Sequence, residues 1–160
     1  MENRLIALDL VLRELGIPLD ISTLDDRKRV QKAVYLGQRS GIDLGYRFGW
    51  YLLGPYSTDL TRDYFALSAA LDDGEALPAR VLRDETRKSL ARVRPLMNVP
   101  EEVNLEQEDW LELLASLHYL QTISGLTFNT SVAAMKGTSK EPLLTYAPVA
   151  EKLLAQAGLI

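Results

Sequence analysis

The chain has 160 residues, 47% hydrophobic and 25% charged, the proportions of one soluble domain that can bury a core without metal or disulfide support. It has no cysteine and one histidine, which excludes disulfide frameworks, thiolate zinc sites and cysteine nucleophiles and argues against a His-rich metal centre. Eighteen bases against 22 acids give a net charge of −4, which weighs against nucleic-acid or anionic-membrane partners. Charges at Glu2, Arg4, Asp9, Arg13 and Glu14, together with the lack of any apolar run of about 18 residues, predict a cytoplasmic protein.

Leu5, Leu8, Leu12 and Leu15 recur at helical spacing and predict a helix over residues 2–15, stopped by Gly16 and Pro18. Ser22 or Thr23 caps the next helix, with Asp25 and Asp26 in its positive first turn and Val30, Ala33, Val34 and Gly37 on its inner stripe. Gly37 on that stripe predicts close packing. Between Leu44 and Leu53 the period falls to two, with Tyr46, Phe48, Trp50 and Leu52 on one side and Arg47, Gly49, Tyr51 and Leu53 on the other. This predicts an extended segment or hairpin, broken by Gly54-Pro55 and followed by a helix that Ser57 caps. Leu60, Tyr64, Leu67 and Leu71 mark that helix, and Asp72-Asp73-Gly74 ends it.

A basic helix is predicted over 79–97, with Arg80, Arg83, Arg87 and Arg94 on one stripe able to track phosphates. An acidic segment follows, with Glu101, Glu102, Glu106, Glu108, Asp109 and Glu112. Residues 1–97 hold 15 bases and 14 acids, whereas 98–160 hold 3 and 8. Either the two segments fold back and neutralise each other or both are solvated faces. Asn104 and Gln107 resemble a capping box ahead of an apolar helix carrying Trp110, Leu113, Leu114, Leu117 and Leu120. A short helix at Ser131–Lys136 and a last one over about 146–157 complete the chain. Pro148 falls in the first turn of the last helix, and Gly158-Leu159 suits a left-handed cap packed on Leu154. The expected fold is mainly α, one domain over 1–160 with six to seven helices and one short β element near 44–53.

No common phosphate-loop, dinucleotide, zincin or nucleophile-elbow fingerprint occurs. His118 borders the apolar face of Leu111 and Leu114, as a satisfied core histidine would. Asp59 and Asp63, one turn apart, supply too few ligands for a hard cation, and Asp59 has a simpler role at a helix start. No catalytic, metal or cofactor site is therefore expected. Eight of the twelve aromatic residues fall between Tyr35 and Phe65, enough rings both to build a core and to furnish a surface site.

The run Val30-Gln31-Lys32-Ala33-Val34-Tyr35-Leu36, then Gly45-Tyr46-Arg47-Phe48-Gly49-Trp50-Tyr51, then Gly54-Pro55-Tyr56-Ser57-Thr58-Asp59-Leu60 resembles YwgA-like bacterial proteins. More distantly it is similar to the SocA-like antitoxins with the Panacea domain. The likeness spans about residues 27–71. It implies a non-enzymatic bacterial or phage-related domain that binds a protein partner, a toxin or regulatory target. Its binding surface would comprise Lys32, Tyr35, Tyr46, Trp50, Tyr51, Gly54, Pro55, Tyr56 and Ser57. The bland alternative is that this motif only fixes the chain between two helices. Two other readings stand beside it: a DNA-binding regulator using the Arg80–Arg94 helix or Arg27, Lys28 and Arg29, and a hydrolase-type enzyme around Asp59, Asp63 and His118.

Overall fold

A computed structural model describes residues 1–160 and contains seven α-helices and one β-hairpin. The helices are α1 (Asn3–Leu15), α2 (Leu24–Arg39), α3 (Thr58–Asp72), α4 (Asp84–Val93), α5 (Gln107–His118), α6 (Phe128–Met135) and α7 (Ala147–Gln156). The hairpin pairs β1 (Gly49–Tyr51) with β2 (Gly54–Tyr56) antiparallel, with Trp50 opposite Pro55. The mainly-α architecture matches the expectation from sequence. No helix is long and apolar enough to cross a membrane.

Helix α5 is the axis. Residues Trp110 to His118 are buried all round, so it packs on α2 on one side and α7 on another. Its apolar stripe, Trp110, Leu111, Leu113, Leu114 and Leu117, gains about 1.5–3 kcal/mol per buried aliphatic side chain. Helix α1 lies across α2, α3 and α4, burying Leu5, Leu8, Val11, Leu12 and Leu15. The close approach expected at Gly37 is present: a Cβ there would meet Leu15 Cδ1 at 3.4 Å.

Local signals account for several helix ends. Thr23 and Asp26 form a full capping box at the start of α2. The Ser57 hydroxyl accepts from the Leu60 amide at the start of α3. Beyond α7, Gly158 takes a left-handed φ of 76°, and the Leu159 amide returns to the Leu154 carbonyl at 3.0 Å.

Four expectations need correction. The basic helix is shorter than 79–97: α4 begins only at Asp84, with Arg83 at its cap, and gives way to a 3-10 turn at Arg94–Met97 where Pro95 removes an amide donor. Arg80, Arg83, Arg87 and Arg94 therefore do not share one helical stripe. Asn104 does not cap α5; Glu106 stands at the cap, and the Gln107 side chain donates to the Met97 carbonyl instead. Gly54-Pro55 does not end the extended segment but forms its second strand, after a tight turn at Leu52-Leu53. The short helix near 131–136 starts earlier, at Phe128, because Thr127 accepts from the Thr130 amide and caps it.

Candidate functional site

The Gly54–Ser57 turn is fixed from below by α2. The Gln31 side-chain amide forms a two-way clamp with Ser57, donating to its carbonyl and accepting from its N–H, each at 2.9 Å. One residue on, the Lys32 ammonium donates to the Pro55 carbonyl at 2.6 Å. Tyr35, one turn further, bonds His118 Nδ1 at 2.7 Å through its hydroxyl. Each polar member of the Gln-Lys-x-x-Tyr run is thus spent inside the protein. Lys32 and Tyr35 are each 1% exposed, Tyr46, Gly54, Pro55 and Ser57 are buried, and Tyr56 is half-buried with its hydroxyl accepting from Thr61 at 2.6 Å. Of the nine expected binding residues only Trp50 and Tyr51 are exposed.

These two project from β1. Tyr51 stands edge-on to Tyr56 with centroids 5.2 Å apart, and Trp50 leans on Tyr119 at 5.5 Å with the Lys140 ammonium 5.1 Å from its ring centre. Leu52 at the tip is 76% exposed. Beside it opens a cavity of about 340 Å³ between the hairpin, α2 and α3. Four of the eight exposed large hydrophobic side chains, Leu24, Tyr51, Leu52 and Phe65, line this one opening. Single exposed leucines are ordinary, but a gathered set around a hollow is a candidate contact site.

Behind the hairpin lies a polar cluster in the protein interior. Lys28 donates to Asp109 at 2.6 Å and Glu112 at 2.8 Å, and the Lys140 ammonium lies 3.6 Å from the other Glu112 oxygen. Lys140 also donates to the Leu52 carbonyl, tying the hairpin tip to the chain just before the 3-10 segment Glu141–Tyr146. Burial disfavours charge on Lys28, but its two carboxylates outweigh this and raise its affinity for a proton. Lys32 has no such partner. Burial pushes its ammonium down to about 7; Glu112 opposes the shift, and Lys140 and Lys28 add to it. The Ser116 hydroxyl lies against Gly54 with no hydrogen-bond partner.

The acids of α5 are accordingly neutralised by α2 rather than by α4, since Glu108 pairs with Arg29 at 2.9 Å beside the Lys28 pairs. Of the two alternatives, neutralisation of the acidic segment is seen, but by α2 and not by the basic helix, and it engages Lys28 and Arg29 in ion pairs. Arg80 donates to Asn3, and Arg87 faces Glu14 at 3.6 Å. Arg80 and Arg83 line a wider cleft of about 640 Å³ whose walls also carry Asp43 and Glu85, so its charge is mixed.

Asp59 and Asp63 do not converge. Asp59 is exposed and pairs with Arg62, whereas buried Asp63 accepts from the Tyr46 hydroxyl at 2.8 Å and Arg4 Nε at 3.0 Å. Burial pushes the Tyr46 phenol up, and Asp63 adds to the shift. His118 is pushed down to about 4 by burial, with Arg39 adding to this and a backbone hydrogen bond to Leu159 opposing it. A neutral imidazole locked between a phenol and a backbone group is a structural element of the core. No three His, Asp or Glu side chains come together as a metal site.

Glu112, Ser116 and Lys140 are site neighbours that periodicity reasoning passed over. Glu108, Asp109, Glu112 and Ser116 share one polar stripe of α5, which reads in sequence as a solvated face and is covered only because α2 packs over it. Lys140 carried no signal either, because its role depends on how the C-terminal third folds back. The fold and site together define a helical domain that presents an apolar hairpin tip over an internal cationic cluster. No protein-family model matches the chain, and no curated protein or solved structure is significantly similar to it.

Proposed function

We propose that the protein is a non-enzymatic interaction domain, antitoxin-like or regulatory, that binds a protein partner through the apolar hairpin tip and the cavity beside it. The observation that carries this reading is the gathering of Leu24, Tyr51, Leu52 and Phe65 around one opening, with Trp50 next to them. Leaving these groups in water is unfavourable by about 25 cal/mol per Å² of apolar surface, and a partner that covers them recovers that free energy. The hairpin is held at Pro55, Ser57 and Leu52 by side chains from elsewhere in the fold, so little entropy is lost when it docks. The likeness of residues 27–71 to YwgA-like and Panacea sequences points the same way.

The test is affinity capture from the native cell with wild-type bait beside a Trp50→Ala, Tyr51→Ala double variant whose helical circular dichroism is unchanged. Supporting the reading requires a partner that the wild type retains and the variant loses. Equal recovery of every partner by both baits overturns the placement at the hairpin.

A further inference from the structure

The cavity beside the hairpin has a distinct sign as well as a distinct polarity. Its wall carries Arg27, Lys28 and Lys32 and not one acid, in a chain whose net charge is −4. Lys28 is already neutralised by Asp109 and Glu112. Arg27 is different: it is half-buried, spends one N–H on the Ile21 carbonyl at 2.9 Å and has no carboxylate partner. Lys32, at the buried end of that wall, donates to the Pro55 carbonyl and has no carboxylate in direct contact. One guanidinium without a counter-ion, Arg27, and an ammonium offset only at a distance by Glu112, Lys32, therefore lie beside an apolar hollow, a combination that favours an anion carrying an apolar body.

Resting on the interaction-domain reading, we propose that the cavity takes an acidic–aromatic segment of the partner. One apolar side chain of that segment seats among Tyr51, Leu52, Tyr64 and Phe65, while a flanking carboxylate pairs with Arg27 and senses Lys32 through the wall. Arginine suits this task because its planar fork binds a carboxylate through two parallel hydrogen bonds. The volume of about 340 Å³ is at the lower end of ligand-sized cavities, enough for one large side chain rather than an extended chain. A basic segment is disfavoured by the unpaired Arg27 charge, and a purely apolar one leaves it unpaired.

The groups facing Lys32 are Lys28 from its own helix, Glu112 from α5, Lys140 from the segment ahead of 141–146 and the Pro55 carbonyl of the hairpin. Burial pushes Lys32 down to about 7, so an incoming carboxylate draws a proton onto it. Acidic-segment binding is therefore coupled to proton uptake and weakens as the solution becomes alkaline.

The probe is an acetylated, amidated hexapeptide with Phe-Leu at its centre and two acidic residues on each side, titrated into the full-length protein and followed by amide NMR shifts. Controls are the same peptide with lysines for the acids, the same acids flanking Ser-Ser, and single-stranded DNA. The expected result is shifts centred on Tyr51, Leu52 and Phe65, with affinity about tenfold or more above each control. Arg27→Gln lowers it about tenfold, and the loss of affinity between about pH 6 and 8.5 disappears in Lys32→Met. Since Arg27 is half-buried and outside the core network, its variant carries the test if Lys32→Met fails to fold. Equal affinity for the lysine peptide, tighter binding of DNA, or shifts mapping elsewhere overturns the inference. A natural partner lost by Leu52→Asp but bound unchanged by Arg27→Gln overturns it while leaving the interaction reading intact; a partner insensitive to both overturns that reading as well.

Discussion

Lys32 reaches the Pro55 carbonyl at 2.6 Å from the middle of α2, so the hairpin is pinned by a side chain that is itself 1% exposed. The contact has a cost. An ammonium in that position gives up its water and receives one carbonyl in return, and burial brings its proton affinity from the ordinary 10.5 down to about 7. Between these two values the unfolded chain holds a proton that the folded chain lacks, so stability attributable to Lys32 rises with pH across that window and levels off below it. Urea midpoints of wild type and Lys32→Met measured from neutral to alkaline pH should therefore diverge, the wild type gaining. A constant difference would mean that Lys32 stays charged in the fold.

His118 titrates in a lower window with the same sign. It is held at about 4 against an ordinary 6.5, so the unfolded state protonates first as pH falls, and stability is lost between 6.5 and 4. The full effect is on the order of 3 kcal/mol from the size of the shift. His118→Gln removes the titrating group, and the stability difference between the two proteins should shrink from pH 7 to pH 4. A difference that grows or stays flat over that range contradicts a neutral buried imidazole bonded to Tyr35.

Gly54 combines two constraints that can be separated by experiment. Its φ of +92° suits only glycine, and an added Cβ would sit 2.5 Å from the Ser116 hydroxyl oxygen. Gly54→Ala is expected to destabilise the protein by about 2–4 kcal/mol through strain and overpacking together. Adding Ser116→Gly removes the clash and leaves the backbone strain, so chemical denaturation should show recovery of only part of the loss. Full recovery would assign the whole effect to packing, and no recovery would assign it to the backbone.

Helices were legible wherever the cause was local. Thr23, Ser57 and Gly158 announce ends that the structure keeps, and the leucine spacing of α1 and the apolar run of α5 mark elements by periodicity alone. The hairpin was half legible: period-two alternation located β1, but Gly54-Pro55 read as a break because the Lys32 and Gln31 contacts that hold β2 come from a helix about 23 and 26 residues earlier. The same distance effect hid the burial of Lys32. A lysine beside Gln31 on an amphipathic helix reads as a solvated charge until the hairpin closes over it. Likewise Arg80 and Arg83 fit a helical stripe in sequence, yet the chain between Gly74 and Arg83 has too few apolar side chains in contact with the core to hold a helix.

Glu112 is the one carboxylate that serves all three interior lysines. It accepts from Lys28 at 2.8 Å, lies 3.6 Å from Lys140 and favours the charged form of Lys32. Glu112→Gln keeps the shape and removes the charge, leaving a cluster of cations that Asp109 neutralises only through Lys28. The expected loss is about 3 kcal/mol or more, as for one partner taken from a buried ion pair. Part of that loss should be shared with Lys32→Met, because each change alone removes the same Lys32–Glu112 attraction and the double variant loses it only once. In a double-mutant cycle on urea-unfolding free energies, the double variant should therefore be more stable than the sum of the singles predicts. Additivity to within about 0.3–0.5 kcal/mol would show that Lys32 and Glu112 do not sense each other.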